Sequence, residues 1–500
     1  MDLIRKQTIK KEVYPLYIAG KQVMTNKFLD VFDKFTEKKI ARVSLAEKKE
    51  IQEAITTVSK SRKAMNDLPI HARKDILRDI AKQFRERKDE LASLITMESG
   101  KPIKISQVEM NRAIDTVENC SEEAGRNYGE YQDFGYTKSS QGYQGTTRRF
   151  PIGPIAMFSP FNFPINLIVH KIAPAIATGN PFIIKPSPRT PISAIVLGDI
   201  LANTALPKNS FSVLPMENNL AMELLKDDRM KMVSFTGSDV VGWKIKSLSG
   251  KKKVTLELGG DAACVVDKCN CAETDLDTIA KRIIFGAFYQ AGQSCISVQR
   301  VYLHDTVYNK LKERLIHFTK LLKTVDPMLP DENPLEWNVG PLISTDEAKR
   351  VESWVENAKE KKAKVLVGGQ RINNFYLPTI LEKIHQNSII AQNEVFGPVF
   401  YIEKFSNMKG VITKINKSRY GLQAGLYTNN LKRAFSFYEN VECGGVVIND
   451  IPSARVDAQV YGGIKDSGMG SEGIRAAMHE MTVPKIMLMK DYGIPKLKKH

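Results

Sequence analysis

From residue 151 onward, short apolar segments alternate with longer segments of helical periodicity. The first strand-like segments are 155–158, 181–184, 212–214 and 232–235. A second alternation runs from residue 253 to about residue 449. Strands that alternate with helices pair in parallel and carry helices on both faces of the sheet. Because the 500 residues of the chain exceed the ~250–300 that one core supports, we predict an α/β fold with two doubly wound domains.

The segments outside this alternation have patterns of their own. Residues 44–100 show helical periodicity, and Ser44 with Glu47 resembles a capping box at the start of a helix. The stretch 125–147 is polar and rich in glycine and serine, with aromatic residues in rough alternation. This pattern predicts an extended hairpin or arm that pairs with another chain or with a sheet edge.

The formal net charge of +17 raises the question of an anionic partner. The lysines are spread along the whole chain, and no basic stretch is interleaved with the aromatic residues on which single-stranded bases stack. We therefore interpret the charge as a solvated, lysine-rich surface and expect no nucleic acid partner. A non-enzymatic protein that binds RNA through its basic surface is the remote alternative.

The N-terminal residues are polar and contain no apolar core of signal-peptide length. No segment approaches the ~18 apolar residues of a membrane span, so we expect a cytoplasmic protein with no membrane partner. The six cysteines are too few for a disulfide framework in a chain of this length. Cys269 and Cys271 have no second cysteine or histidine pair at ligand spacing nearby, so we expect no metal site.

Two glycine-containing turns are candidate phosphate sites. After the segment 232–235, Gly237 permits a tight turn and Ser238 can cap the following helix, a combination that binds anions. An ordinary strand-to-helix turn is an equal alternative. The full G-x-G-x-x-G pattern occurs at 468–473, but no strand directly precedes it. We interpret that second run as a loop whose backbone closely approaches a neighbouring segment.

Four polar side chains stand in turn contexts where chemistry is possible. Asn162 lies between two prolines, Glu257 ends a strand-like run before two glycines, and Glu394 precedes a Phe-Gly-Pro turn. Cys295 follows a Gly-Gln-Ser run, whose small polar residues leave the sulfur reachable. A thiolate is the strongest ordinary nucleophile near neutral pH. Taken singly, each of the four would more often be a structural residue.

Taken in order, these runs resemble the aldehyde dehydrogenase superfamily over about residues 15–490. The matching runs are 160–164 (Pro-Phe-Asn-Phe-Pro), 185–187 (Lys-Pro-Ser), 235–238 (Phe-Thr-Gly-Ser), 257–260 (Glu-Leu-Gly-Gly), 292–295 (Gly-Gln-Ser-Cys), 394–398 (Glu-Val-Phe-Gly-Pro) and 462–468 (Gly-Gly-Ile-Lys-Asp-Ser-Gly). The resemblance implies a non-acylating enzyme that oxidises an aldehyde to the carboxylic acid with NAD or NADP as cofactor.

The resemblance also implies catalytic roles. Cys295 would attack the aldehyde carbonyl, and the Asn162 side chain, with the Cys295 backbone N–H, would hold the developing oxyanion. The thiohemiacetal would lose a hydride to the nicotinamide ring, which leaves a thioester. Glu257 would activate the water that hydrolyses this thioester. The presence of Glu257 favours hydrolysis over the alternative, transfer of the acyl group to coenzyme A.

The implied cofactor contacts lie in three of the matching runs. They are Lys185 and Ser187 at the adenosine ribose, Gly237 and Ser238 at the pyrophosphate, Glu394 at the nicotinamide ribose and Phe396 in the nicotinamide pocket. Many NAD-preferring members carry a glutamate where this chain has Pro188. Because a missing acid removes a repulsion against a 2′-phosphate, NAD and NADP stay equally open.

Phe161, Arg455 and Glu472 are the candidates for substrate contacts or for the proton path. The run 454–457 (Ala-Arg-Val-Asp) resembles a pattern of lactaldehyde-type members. It suggests that Arg455 lines the aldehyde tunnel and favours a small hydroxy- or carboxy-aldehyde, such as lactaldehyde or succinate semialdehyde. A structural pair of Arg455 with Asp457 is the alternative.

For the architecture, the resemblance implies two Rossmann-like domains and a small β arm. We expect an NAD(P)-binding domain at 1–124 and 150–257, with 450–480 returning to it, and a catalytic domain at 258–449. The arm would comprise 125–149 and 481–500. Its expected role is to pair subunits in a homodimer or homotetramer.

Overall fold

Alternating strands and helices build the protein around two large sheets. The computed structural model describes residue 5 and residues 7–126, 129–268, 272–330 and 333–491. Cys269, Cys271 and the last residues of the predicted arm, 492–500, lie outside the described residues. The helices are Lys48–Lys60, Arg62–Asp67, Ile70–Glu86, Lys88–Ser99, Ile103–Ala124, Asn166–Thr178, Pro191–Ala202, Met222–Lys226, Asp239–Leu248, Glu273–Phe288, Tyr308–Leu321, Thr345–Glu360, Ile389–Gln392, Met408–Asn416, Leu431–Asn440 and Ile474–Glu480.

The first large sheet contains the strands that were predicted from residue 151 onward. In the described part of the chain its order is Gly468–Met469, Lys253–Glu257, Met232–Thr236, Ile155–Phe158, Phe182–Lys185, Phe211–Val213, Leu16–Ile18 and Lys21–Val23. The strands from 253–257 to 211–213 pair in parallel, and the outer strands pair antiparallel. Parallel strands are covered on both faces, which explains their continuous apolar sequences.

The second large sheet is also mainly parallel. Its order is Lys364–Val367, Thr379–Glu382, Val399–Phe405, Arg300–His304, Ala263–Val266, Gln423–Tyr427 and Gly445–Ile448. Only 364–367, at one edge, pairs antiparallel within the described strands. The prediction of an α/β fold with two doubly wound sheets is confirmed.

Apolar clusters cover both faces of each large sheet. In the first sheet, Ile155 and Met157 belong to one buried cluster, while Ala156 and Phe158 belong to another on the opposite face. The second sheet follows the same alternation, since Cys264 and Val266 face one cluster and Ala263 and Val265 the other. Because successive side chains of a strand point to opposite faces, each strand anchors two layers of helices.

The polar stretch 125–147, which was predicted to form a hairpin or arm, contributes to a separate antiparallel sheet. Its strands, in order, are Thr482–Lys490, Tyr143–Pro151 and Glu130–Asp133, which confirms the predicted hairpin. Strand 482–490 is almost entirely exposed and lies at the sheet edge. In one smaller sheet the strand Lys39–Ser44 lies between Val13–Tyr14 and Phe28–Phe32. Two further sheets pair Arg371–Ile372 with Phe375–Tyr376 and Tyr420–Gly421 with Ile464–Lys465.

The glycine-rich run 468–473 begins with the strand Gly468–Met469, which belongs to the first sheet although it follows the second sheet in sequence. Gly468 pairs antiparallel with Glu257, and a side chain there would lie 2.4 Å from the Leu256 carbonyl. At Gly473, with φ +91°, a side chain would lie 2.0 Å from the Gln459 carbonyl. The predicted close backbone approach of this loop is therefore confirmed. The residue limits of the predicted domains stay a prediction.

No helix within the described ranges is both long and apolar enough to cross a membrane.

Candidate active site

A cavity of about 940 Å³ opens at the carboxyl ends of the parallel strands of the first sheet. Its lining also includes residues of the second half of the chain, from the helix Thr345–Glu360 and from the turns at Cys295 and Glu394. Its lining includes ten predicted site residues, namely Phe161, Asn162, Lys185, Ser187, Gly237, Ser238, Glu257, Cys295, Glu394 and Phe396. Two further candidates, Arg455 and Glu472, are not part of this lining, and Arg455 instead faces a second cavity.

Cys295 follows an unusually tight turn. Gln290, Ala291 and Gly292 all have positive φ angles, of 53°, 53° and 69°. A side chain at Gly292 would lie 2.2 Å from the Gly397 carbonyl, so glycine is needed there. The turn leaves the thiol half-buried at the cavity, where its Sγ lies 3.2 Å from the hydroxyl of Tyr461. Burial raises the pKa of the Cys295 thiol to about 12.

Asn162 is tied to the cysteine turn by its amide. Its Nδ2 donates a hydrogen bond of 3.0 Å to the Gln293 carbonyl, and the Gln290 side chain donates to the Asn162 carbonyl. The Asn162 Oδ1 is buried and has no hydrogen-bond partner among the described residues. Since Nδ2 carries two N–H groups, the amide retains one donor beyond the bond to Gln293.

A buried ion pair supports the turn that carries Asn162. One oxygen of Glu109 accepts backbone N–H bonds from Ile165 and Asn166, at 3.0 and 3.1 Å, where the helix Asn166–Thr178 begins. Its other oxygen accepts from the ammonium of Lys101, and both side chains are fully buried. The carboxylate thus fixes the start of the helix and, with it, the preceding turn.

Glu257 ends the strand Lys253–Glu257 and is 3% exposed. Neither carboxyl oxygen meets a hydrogen-bond partner in the described ranges. Burial, followed by the neighbouring Glu472 carboxylate, raises the pKa of Glu257 well above its usual value. A buried carboxyl of raised pKa without a local partner is suited to exchange a proton with a bound water.

Glu472 belongs to a buried polar cluster beside Glu257. The Nζ of Lys171 donates to Glu472 Oε1 and to Thr236 Oγ1, both at 2.7 Å, and to Ser234 Oγ at 3.1 Å. Although burial opposes it, the ammonium of Lys171 lowers the pKa of Glu472 to about 2. Glu472 is therefore a charged neighbour that disfavours ionisation of Glu257.

The predicted adenosine and pyrophosphate contacts all line the large cavity. The Lys185 ammonium donates to Asn218 Oδ1 at 2.6 Å, and burial lowers its pKa to about 8. Ser238 is the residue before the helix Asp239–Leu248, and its side chain makes no capping bond within the described structure. The Gly237 N–H is already used, because it donates to the Glu257 carbonyl at 3.1 Å.

Glu394 is held by the glycine turn that follows Glu257. Its Oε1 accepts from the Gly260 N–H at 3.0 Å, and a side chain at Gly259 would lie 2.3 Å from its Oε2. Burial raises the pKa of Glu394 to about 8. The next turn residue, Phe396, has φ +46° and packs edge-to-face on Phe161 with ring centroids 5.8 Å apart.

These features fit a bound dinucleotide. The helix start at Ser238 provides backbone dipoles for phosphate, and Lys185 and Glu394 are polar groups at separate places in one cavity. The space that a side chain at Gly259 would fill stays open beside Glu394. When bound, NAD or NADP supplies the hydride acceptor.

Arg455 lines a second cavity of about 340 Å³. Its guanidinium carbon lies 3.7 Å from the centroid of the Tyr461 ring, and its side chain is 6% exposed. Its Nε and Nη2 are buried without a hydrogen-bond partner in the described part of the chain. The carboxylates of Asp457 and Glu472 are 3.9 and 3.8 Å away, within ion-pair range only.

The alternative prediction was a structural pair of Arg455 with Asp457, and within the described residues these two side chains are 3.9 Å apart without a hydrogen bond. Asp457 receives its hydrogen bonds from Arg112, at 2.9 and 2.7 Å, and from His170 at 2.9 Å. The Arg112 side chain lines the same cavity as Arg455. Arg455 therefore keeps unused donors, whereas Arg112 is committed to Asp457.

Lys171 and Tyr461 lie in the site although nothing in the sequence indicated them. Lys171 lies in the helix Asn166–Thr178, whose residues are all buried. Its ion-pair partner, Glu472, is 301 positions away in sequence, so no nearby residue indicated its role. Tyr461 follows a polar loop and contacts Cys295 across 166 positions of sequence. In each case the residue is recognised as part of the site only by a contact with a residue far away in sequence.

The fold and site define a dehydrogenase that joins a dinucleotide cavity to a reachable cysteine. Residues 21–487 match the aldehyde dehydrogenase family. The chain is 38% identical over 481 residues to the 3-sulfolactaldehyde dehydrogenase of Priestia aryabhattai, with 95% of this chain and 98% of that protein covered. The chain therefore belongs to the aldehyde dehydrogenase family.

Solved structures agree with this assignment. Aldehyde dehydrogenase 21 from Physcomitrella patens, in complex with the reaction product succinate, superposes with a TM-score of 0.94 at 41% identity, covering 97% of this chain and all (100%) of that chain. A glyceraldehyde-3-phosphate dehydrogenase from Methanocaldococcus jannaschii, complexed with NADP, gives 0.86 at 35% identity, with 93% and 100% covered. The protein is an NAD(P)-dependent oxidoreductase that acts on aldehydes. The predicted family, enzyme class and cofactor are confirmed.

Proposed function

We propose that this enzyme oxidises a small aldehyde that carries a hydroxyl or an anionic group, of the lactaldehyde or succinate semialdehyde type. One observation carries the proposal: the buried guanidinium of Arg455 faces the second cavity with Nε and Nη2 unpartnered within the described structure. Burying the N–H donors of a cation without hydrogen bonds is costly. A carboxylate or sulfonate on the substrate would satisfy it with two parallel hydrogen bonds.

The location of Arg455 agrees with this role. Its guanidinium stacks on Tyr461, whose hydroxyl contacts the Cys295 sulfur. One aromatic side chain therefore separates the cationic group from the proposed nucleophile, a separation suited to a short substrate. The names of two relatives support the same chemistry, since 3-sulfolactaldehyde carries a hydroxyl and a sulfonate and succinate is the product of succinate semialdehyde.

Cys295 is the proposed nucleophile. Its thiolate would attack the aldehyde carbon and form a thiohemiacetal, with the negative charge on the former carbonyl oxygen. The free N–H of the Asn162 amide and the Cys295 backbone N–H would hold this oxyanion. The bond from Asn162 to the Gln293 carbonyl supports this proposal, because it fixes the amide next to the cysteine turn.

Glu257 is the proposed general base for the second half of the reaction. Once the hydride has left, the acyl group is a thioester on Cys295, and water must replace the sulfur. Glu257 would take a proton from that water as its oxygen bonds to the acyl carbon, and would pass the proton to the Cys295 sulfur when the C–S bond breaks and the carboxylic acid leaves. Its raised pKa and lack of hydrogen-bond partners within the described ranges support this role.

The proposed cofactor contacts are Lys185 and Ser187 near the adenosine ribose, Gly237 and Ser238 near the pyrophosphate, and Glu394 and Phe396 near the nicotinamide. Around Lys185 the cavity is lined by Ser187, Pro188, Asn218 and Asn219, none of which is acidic. A 2′-phosphate would therefore meet no carboxylate among them. We propose that both NAD and NADP are accepted.

We also propose that two or four copies assemble through the arm sheet, and that the NAD(P)-binding and catalytic domains have the limits predicted above. The exposed apolar residues of the arm support assembly; they are Val483, Ile486, Met487, Leu488 and Met489. An exposed apolar edge strand is a template for pairing with another chain.

A matched pair of four-carbon aldehydes tests the substrate proposal. Succinate semialdehyde carries a carboxylate, whereas butanal has the same chain length and no charge. We expect Arg455→Ala to lower kcat/KM for succinate semialdehyde by about tenfold to a hundredfold, the worth of a charge-assisted hydrogen bond, and to change butanal far less. Equal losses on both aldehydes would overturn the proposal. Lactaldehyde and glyceraldehyde 3-phosphate extend the panel, each with NAD and with NADP.

A further inference from the structure

We propose that Tyr461 is a further catalytic residue: its hydroxyl donates a hydrogen bond to the sulfur of Cys295 and stabilises the thiolate. The two atoms lie 3.2 Å apart, and no other side chain in the described structure is bonded to this sulfur. The inference rests on the proposed role of Cys295 as nucleophile. It adds a group that acts on the nucleophile before the aldehyde arrives.

The direction of this hydrogen bond follows from the burial of the phenol. Tyr461 is 4% exposed, and burial, together with the nearby sulfur, raises the pKa of its hydroxyl well above 10. The phenol therefore keeps its proton at neutral pH. A thiolate has no proton to give, so the bond to the ionised sulfur is O–H···S⁻. On ionisation the thiol proton leaves to water, and the tyrosine proton stays on oxygen.

The position of the hydroxyl is fixed by the backbone and by packing. The Tyr461 N–H donates to the Glu472 carbonyl at 3.0 Å, and the Glu472 N–H donates back at 2.6 Å. The ring packs in a small cluster with Ile296 and Leu422. A donor held in this way does not need to be reorganised when the charge on sulfur forms.

Arg455 strengthens the arrangement from the face of the Tyr461 ring. Its guanidinium carbon is 3.7 Å from the ring centroid, a cation–π contact. Tyr461 and Arg455 lower the pKa of the Cys295 thiol and so favour the thiolate. Burial and the carboxyl groups of Glu394 and Glu257 raise this pKa. The neighbouring Tyr289 is buried, and its own raised pKa means that it stays protonated.

This balance gives Tyr461 a specific task. Burial raises the pKa of the thiol to about 12 even with the Tyr461 hydroxyl beside it, so little thiolate exists at neutral pH, and without this donor there would be less still. The hydroxyl offsets part of the effect of burial before substrate binds. When the S–C bond forms, the negative charge moves from the sulfur to the former carbonyl oxygen. The hydrogen bond from Tyr461 weakens at that point, and the proposed donors around Asn162 act on the oxyanion.

The test measures the rate at which iodoacetamide alkylates Cys295 as a function of pH, followed by mass spectrometry of the Cys295 peptide. Tyr461→Phe keeps the ring and its contact with Arg455 but removes the hydroxyl. We expect the apparent pKa of alkylation to rise by about one unit, as for loss of one hydrogen bond to a charged group. At every pH below that pKa, alkylation would therefore be about tenfold slower than in the wild type.

Two controls and one further variant show whether a changed alkylation rate comes from the Tyr461 hydroxyl. Tyr376→Phe removes the hydroxyl of another buried tyrosine, which belongs to the second-sheet core, and should leave the profile unchanged. Alkylation of Cys443 in the same samples reports any general change in accessibility. Replacing Tyr461 by 3-fluorotyrosine makes the phenol a stronger donor without altering its shape, and should lower the apparent pKa.

An unchanged profile in both Tyr461 variants would overturn this inference. That result is distinguishable from failure of the proposed function. If complete alkylation of Cys295 left aldehyde oxidation intact, the cysteine would not be the nucleophile, whatever the profile. If alkylation abolished oxidation but the profile did not depend on Tyr461, only the role of the tyrosine would be lost.

Discussion

The ammonium of Lys171 donates a 2.7 Å hydrogen bond to the carboxylate of Glu472, a residue 301 positions away, and both side chains are buried. After burial, the charge of Glu472 is the largest influence that raises the pKa of Glu257. Lys171 therefore has two effects on this part of the site. It compensates the buried charge of Glu472, and it limits the repulsion that Glu257 experiences.

Replacing Lys171 by methionine should destabilise the protein. The variant leaves the Glu472 carboxylate buried without its cation, a change that costs about 3–5 kcal/mol in buried pairs. Urea denaturation followed by fluorescence measures the free energy of unfolding. The double variant Lys171→Met/Glu472→Gln removes both charges and should recover much of the loss. A single variant as stable as the wild type would contradict this account of the pair.

Replacing Glu257 by glutamine should separate the two halves of the reaction. Without the base, we expect one burst of NAD(P)H per subunit, followed by turnover about 10²–10⁴-fold slower than wild type. Stopped-flow absorbance of the nicotinamide shows both phases. Glu439→Gln, which alters an exposed glutamate of the helix Leu431–Asn440, serves as the control. Undiminished steady turnover in Glu257→Gln would rule out the proposed base.

The wild-type hydrolysis rate should also depend on pH. Burial raises the pKa of Glu257, so the carboxyl is protonated, and unable to accept a proton, over a wider range than an exposed glutamate. The deacylation rate should therefore rise with pH as Glu257 ionises. In Glu257→Gln this rise should be absent, and its persistence there would assign the titration to a different group.

Asp457→Asn should change how stability depends on pH. Although burial opposes it, hydrogen bonds from His170 and Arg112 hold the pKa of Asp457 well below its usual value. A lowered pKa contributes stability that is fully present above the unfolded value of about 3.9. This contribution is lost as pH falls through the folded pKa. We expect the variant to lose about 3–5 kcal/mol at pH 7.

The difference between wild type and Asp457→Asn should then shrink steadily below about pH 4, where Asp457 of the unfolded wild-type chain takes up a proton while the folded chain keeps it ionised. Chemical denaturation of both proteins at pH 7, 5, 4 and 3 measures this difference in the free energy of unfolding. A difference that is constant over this range would show that the loss comes from altered packing and not from charge.

Much of the fold follows from local sequence. The segment 155–158 was predicted as a strand and forms Ile155–Phe158, because strands covered on both faces are continuous apolar runs. The capping box at Ser44 and Glu47 was wrong. Ser44 ends the strand Lys39–Ser44, whose pairing with Phe28–Phe32 determines its conformation, and the helix begins at Lys48 with Glu47 as its cap.

The site was predictable only in part. Asn162, Glu257, Cys295 and Glu394 stand in turns with distinctive neighbours, and the structure places all four around one cavity. The contacts that tune them could not be predicted, because each joins residues far apart in sequence. Examples are Lys171 with Glu472, 301 positions apart, and Tyr461 with Cys295, 166 positions apart.

Gly259→Ala should weaken cofactor binding selectively. An added methyl group would lie 2.3 Å from the Glu394 Oε2 and displace this carboxylate. We expect a several-fold higher Kd for NAD(P)H, measured by its fluorescence, with stability changed by less than about 1 kcal/mol because the half-buried Glu394 carboxylate faces the cavity and can shift into it. Gly410→Ala is the control, since the added methyl meets nothing within 4 Å. Equal Kd values would argue against Glu394 as a cofactor contact.

Acidic substitutions in the arm should dissociate the proposed oligomer. Met487 and Met489, 58% and 45% exposed, lie two positions apart on one face of the strand Thr482–Lys490. Glutamates at both positions would have to lose their hydration in an interface, a cost that separate subunits avoid. Light scattering coupled to size-exclusion chromatography should show a lower mass than wild type. Ile372→Glu, at an exposed apolar residue outside the arm, should keep the wild-type mass. If the Met487→Glu/Met489→Glu protein kept it too, assembly through this strand would be excluded.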